Sequence, residues 1–156
     1  MEINIICVGK IKEKFYRDAI EAYSKEIGKY FSLKIIEIID EKTPEKASEK
    51  EELQIKNKEG ESILRYIKEN SYVIALDIKG QKLSSKALAE KIKKVGTDEK
   101  GSITFLIGGS LGLAQKVLSR ADEKISFSKM TFPHQLFRVM ILEQVYRIAK
   151  INQGEI

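Results

Sequence analysis

Two stretches in the last third of the chain combine residue types that can hold a small ligand. Leu106-Ile107-Gly108-Gly109-Ser110-Leu111-Gly112-Leu113 runs an apolar strand into a glycine cluster. Ser126-Phe127-Ser128-Lys129-Met130-Thr131-Phe132-Pro133-His134-Gln135 carries a second short strand through a small-polar loop into a long helix. Two strand-ending loops of this kind can form a pocket in which backbone amides and carbonyls read a ligand, because glycine leaves the main chain open to close approach. The N-terminal half offers no comparable pair, so a cofactor site is expected toward the C-terminus.

Several chemistries are excluded by spacing. The cluster Gly108-Gly109-Ser110-Leu111-Gly112 does not fit G-x-G-x-x-G, and the first strand ends on the single Gly9, which argues against a nicotinamide-type dinucleotide site. No G-x-x-x-x-G-K-[ST] occurs, and Ser110 of the glycine cluster has no histidine-carboxylate set at hand beyond the single His134. One cysteine, Cys7, and one histidine, His134, cannot make a zinc site, and no metal is expected. Cys7 lies in an apolar strand pattern, where an unpartnered thiol reads as core filler in a reducing compartment.

The elements that position these loops alternate. Strands are expected at 3–8, 33–39, 72–77, 102–107 and 124–127. Helices are expected at 12–30, at 45–68 with an exposed first half, after a cap at Ser84 or Ser85, at 114–120 and at 133–149. Pro133 opens the last of these, where a missing amide hydrogen costs nothing. Alternation of this kind predicts a single α/β domain over residues 1–156, built on a mostly parallel sheet with helices on both faces.

The final helix is apolar around more than one face: Leu136, Phe137, Val139, Met140, Ile141, Leu142, Val145, Tyr146, Ile148 and Ala149. A central core helix would explain that. The preferred reading puts one face on the sheet and another against a second copy of the chain, a homodimer through the C-terminal helix.

A net charge of +5 favours polyanionic partners. Its distribution adds detail. Seven lysines run from Lys79 to Lys100 inclusive, against Glu90, Asp98 and Glu99, and Lys10, Lys12, Lys14 and Arg17 form a second basic patch. No apolar run is long enough to span a membrane and no secretory leader is evident, so a cytoplasmic protein without membrane contact is expected.

Taken in order, Val8-Gly9-Lys10, Glu59-Gly60 before Ile63-Leu64, Leu76 with Gly80-Gln81-Lys82, Ile107-Gly108-Gly109-x-x-Gly112-Leu113, Ser126-x-Ser128-Lys129-Met130-Thr131-x-Pro133-His134, Arg138 and Glu143-Gln144-x-Tyr146-Arg147 closely resemble the ribosomal RNA large-subunit methyltransferase H family of the SPOUT class. The resemblance spans nearly the whole chain. It implies a C-terminal trefoil knot, a known exception to the rule against knotted chains. It also implies a homodimer, S-adenosylmethionine as methyl donor, and methylation at N3 of a pseudouridine in a stem-loop of large-subunit ribosomal RNA within the ribosome. By position, the donor should meet Leu76, Gly108, Phe127, Ser128, Lys129, Met130, Thr131 and Phe132, with Gly109 and Gly112 shaping the loop. The residues themselves agree with that placement, since Leu76, Leu106, Phe127 and Met130 can supply an apolar slot for adenine.

The acceptor imide must lose a proton. His134 alone has an unperturbed side-chain pKa near neutrality, which makes it a candidate base, with a first-turn structural role or an RNA contact as alternatives. Arg138 could bind phosphate or stabilise a developing anion, or form a salt bridge to a carboxylate such as Glu143. Two departures from the family stand out: the chain stops at Gly154-Glu155-Ile156 where a Tyr-His-basic tail is usual, and position 111 is Leu where a polar residue is commoner. A methyltransferase acting on transfer RNA, and a non-catalytic ribosome- or RNA-binding protein, are the competing expectations.

Overall fold

The computed structural model describes residues 1–97, 101–128, 130 and 132–155. Five strands, β1 (Glu2–Val8), β2 (Ser32–Ile38), β3 (Tyr72–Lys82), β4 (Ser102–Ile107) and β5 (Glu123–Ser126), alternate with five helices. These are α1 (Lys14–Ile27), α2 (Glu49–Tyr66), α3 (Ser85–Thr97), α4 (Gln115–Arg120) and α5 (His134–Asn152). The strands form one sheet in the order β2-β1-β4-β3-β5, and every pairing is parallel.

Such a sheet must be covered on both faces, which is why its strands read as nearly unbroken apolar runs. Ile3, Ile5, Cys7, Ile103, Phe105 and Ile107 pack with Ile27 of α1, Leu88 and Ile92 of α3, and Ile141, Leu142, Val145 and Ile148 of α5. On the opposite face, Ile6, Val8, Val73, Ala75 and Leu106 pack with Ile63 of α2 and Val117 of α4. Two buried hydroxyls there pair with each other: Ser71 and Thr104 share a hydrogen bond of 2.6 Å. Cys7 lies in the core, its thiol 3.5 Å from the Ile36 carbonyl, and burial pushes its pKa up to about 11.

Differences from the predicted bounds have local causes. Helix α1 begins at Lys14 because the amides of Lys12 and Glu13 donate instead to Oε1 of Gln135, at 3.0 and 3.4 Å. Helix α2 begins at Glu49 because Ser48 caps it: its Oγ accepts from the Glu51 amide at 3.1 Å, while Oε1 of Glu51 accepts from the Ser48 amide at 3.3 Å. Ser84 caps α3 through the Ala87 amide at 3.1 Å. Pro133 sits at the N-cap of α5 rather than in its first turn, and the helix continues to Asn152. Strand β3 is longer than expected because its pairing with β5 breaks after Leu76 and resumes at Gln81, both facing Ile125. Residues 77–80 therefore bulge out beside the ends of β4 and β5.

Candidate functional site

The loops after β4 and β5 lie side by side at one end of the sheet. With the β3 bulge they enclose a cleft of about 270 Å³, just under the roughly 300–1,000 Å³ common for small-molecule sites. The loop after β4 is a tight turn closed by the Gly112 amide on the Gly109 carbonyl at 3.0 Å. Gly112 holds φ at +83°, where side chains are disfavoured. A Cβ on Gly108 would stand 2.8 Å from the carbonyl carbon of Gly112. Only glycine lets the two ends of this turn approach so closely. The second loop braces itself: Ser126 Oγ donates to the Ser128 carbonyl at 3.1 Å, and Ser128 Oγ accepts from the Met130 amide at 3.0 Å.

Of the residues expected to hold a donor, Leu76, Gly108, Gly109, Gly112, Phe127, Ser128, Met130 and Phe132 all line this one cleft. Lys129 and Thr131 lie outside the described residues. Leu106 does not line it: that side chain is fully buried against α2 and α4, and its neighbour Ile107 faces the cleft in its place. The alternation of a strand sends adjacent side chains to opposite faces, so an error of one position is an error of face. Met130 is 69% exposed and Ile78 is 54% exposed, which puts both at the mouth.

Four cleft residues were not singled out from sequence: Asp77, Ile78, Ile125 and Phe137. Asp77 follows Leu76 into the bulge and is the one carboxylate among the described lining residues. Ile78 lies beside it. Phe137 completes an aromatic wall, with its ring centroid 5.6 Å from Phe132 edge-on and 6.4 Å from Phe127. An i, i+4 count from Pro133 could have placed Phe137 at the first turn of α5, facing the loop.

His134 is exposed and lines both the cleft and a larger groove beyond it, of about 790 Å³. Gly109 and Ser110 share that dividing wall. Arg138 is buried at the base of the groove. Its Nη1 donates to Glu37 Oε2 at 2.6 Å and its Nη2 to the Gly9 carbonyl at 2.9 Å, tying α5 to the ends of β1 and β2. The salt bridge considered with Glu143 is not formed; Glu143 pairs with Arg147 at 2.9 Å, one turn along the same helix.

Behind the glycine turn lies a group that sequence reading left without a role. Glu59 of α2 is 4% exposed and accepts from the Glu41 amide at 3.1 Å. Burial, against the lowering effect of the amide bond and with a smaller push from the Asp40 side chain, raises its pKa to about 7. A Cβ on Gly109 would lie 3.4 Å from Glu59 Oε1 and 3.6 Å from Asp40 Oδ1, so this carboxyl pair supports the turn from behind.

The family described as "Predicted SPOUT methyltransferase" matches residues 1–156. Among curated proteins, ribosomal RNA large subunit methyltransferase H of Clostridium novyi is 59% identical over 155 residues, 99% of this chain and 98% of that protein. The proteins of the same name from Clostridium beijerinckii and Clostridium tetani are each 58% identical with the same coverage. The chain belongs to the SPOUT methyltransferases, and within them to the family of ribosomal RNA large subunit methyltransferase H.

Proposed function

We infer that this chain transfers a methyl group from S-adenosylmethionine to N3 of a pseudouridine in a stem-loop of large-subunit ribosomal RNA, acting on the assembled ribosome as a cytoplasmic homodimer. The observation that carries this reading is the pair of neighbouring strand-end loops, which enclose a single apolar cleft in a chain of methyltransferase family. The family's C-terminal trefoil knot belongs to the same reading, supported by the adjacency of those loops, as does a single domain over residues 1–156.

The donor supplies a methyl group activated on a sulfonium centre. The protein's share is placement. Leu76, Ile107, Phe127 and Phe137 offer a slot for a flat heterocycle, and the main chain of Gly108 and of the 126–132 segment offers edges to hydrogen-bond it. Asp77 complements a cationic ligand. Gly109 and Gly112 fix the turn. No group of three or more His, Cys, Asp or Glu among the described residues could hold a metal ion.

In this reading His134 accepts the proton of an imide nitrogen presented from the groove side, which its position on the wall between cleft and groove supports. Arg138 contributes by holding the start of α5, and with it His134, against β1 and β2. Because displacement at a methyl carbon needs the acceptor in line, positioning carries much of the rate. Full single-turnover transfer by His134→Ala would remove the histidine from the proton step.

Dimerisation through α5 is supported by Leu136, Val139 and Met140, a stripe only half-buried in the single chain. Sedimentation at micromolar concentration is expected to give a dimer. The functional test is calorimetry with S-adenosylmethionine followed by labelled methyl transfer to ribosomes. Binding with transfer to large-subunit RNA is expected, together with loss of one methylated pseudouridine from a strain lacking the protein. Transfer to transfer RNA alone, or donor binding with no transfer to any RNA, would overturn it.

A further inference from the structure

The groove beyond the His134 wall differs in chemistry from the cleft. Its floor is apolar, with Val8, Ile38 and Pro133, and Ile39 stands in it 79% exposed. Its rim carries Lys10, Lys12 and Lys42, all exposed and none in an ion pair among the described residues. Of the acids beside them, Glu37 is held by Arg138 at 2.6 Å and Glu41 pairs with Lys58 at 3.6 Å, while Asp40 faces the Glu59 carboxyl and pairs with no cation among the described residues. The N-terminal end of α5, through the N-cap Pro133 and then His134 and Gln135, adds the positive end of a 19-residue helix. Three lysines without an ion pair, against Asp40 as the one lining acid without a cation, leave a cationic rim around an apolar floor.

We propose that this groove seats the RNA strand at the methylated nucleotide, its floor taking the unstacked base and Lys10, Lys12 and Lys42 taking the flanking phosphates; this rests on the function inferred above. The fit is chemical. An unpaired nucleotide is an apolar-faced ring on an anionic backbone, and single-stranded RNA is held by such a combination. The shared wall of Gly109, Ser110 and His134 then puts the base edge against the donor cleft. The other lysine-rich segment, on β3 and α3, lines neither cavity.

The test compares two triple variants of the full chain, Lys10→Gln/Lys12→Gln/Lys42→Gln and Lys79→Gln/Lys86→Gln/Lys93→Gln. Binding to purified large ribosomal subunits is measured across a salt series, with donor affinity and sedimentation measured alongside. The groove variant is expected to bind subunits at least about tenfold more weakly, with a slope of log K against log salt lower by roughly 2, the sum of about 0.7 per lost phosphate contact. Its donor affinity is expected to stay within about twofold. Unchanged affinity and slope would overturn the proposal, as would a larger loss in the β3/α3 variant. A change in assembly without a change in the salt slope would also overturn it, marking the groove as a contact between copies. Failure of the wild-type chain to bind donor or transfer methyl would count against the inferred function instead, while the subunit-binding arm would still judge the groove.

Discussion

The cleft proposed for the donor and the groove share a wall three residues wide, yet they are built on opposite principles. The cleft is lined by apolar side chains and by turns whose own atoms fill their hydrogen bonds, with Asp77 its one described carboxylate. The groove is lined by long charged side chains on a small apolar floor. A site read by main chain depends on the shape of its turns and tolerates side-chain changes that leave the turns intact. One read by exposed lysines depends on charge and is screened by salt. The two should therefore fail under different perturbations.

The largest separation is expected from the glycine turn. Gly108→Val would drive a branched side chain into the main chain of Gly112, 2.8 Å from where a Cβ would begin. Calorimetry should show donor binding lost or weakened by more than about a hundredfold, equivalent to about 2.8 kcal/mol. Subunit binding in the absence of donor should change little. Equal loss of both would mean that the cleft and groove are not separable.

Next in size is the clamp that holds the wall between them. Arg138→Met removes the partner of Glu37 and the donor to Gly9. Stranding a fully buried charge costs about 3–5 kcal/mol, but Glu37 is 40% exposed and can recover water, so about 2 kcal/mol is expected. A fall in Tm of about 4–8 °C would match a chain of this size. Both activities should suffer, because α5 positions one side of each site.

A smaller effect falls on the turn's support. The pKa of Glu59 is raised to about 7 in the folded chain from an ordinary carboxylate value, so the folded state keeps a proton that the unfolded chain releases. The contribution to stability is complete at pH below the unfolded pKa and is lost as pH rises through about 7. Denaturant titrations should show Glu59→Gln flattening this decline between roughly pH 4.5 and pH 7. An unchanged slope would remove Glu59 as its source. The smallest change of all is expected in donor affinity, which should stay within about twofold as salt is raised while subunit binding weakens steeply.

Much of the architecture was legible because burial on both faces writes the inner strands β1, β3 and β4 as apolar runs, while the edge strands β2 and β5, which carry charged residues, were read as strands without such a run. Local devices were partly legible: Ser84 as a cap was anticipated, while the Ser48–Glu51 capping box was missed, although its spacing is a sequence signature. The glycine turn and the Ser126–Ser128 loop could be read as neighbours of strand ends. Relations between distant segments could not. Arg138 and Glu37 are 101 positions apart, and neither residue advertises the other. Glu59 lies on a helix of otherwise solvated charges, and only packing beside Asp40 and Gly109 distinguishes it. Leu106 and Ile107 are equally apolar, so composition could not say which one faces the ligand.

The account is tested most directly by a crystal structure of the chain grown with S-adenosylmethionine. It predicts density between the Gly108–Gly112 turn and the loop after β5, with the methyl carbon directed at the wall of Gly109, Ser110 and His134. Well-defined ligand density at another surface, with that cleft closed by its own side chains, would contradict it.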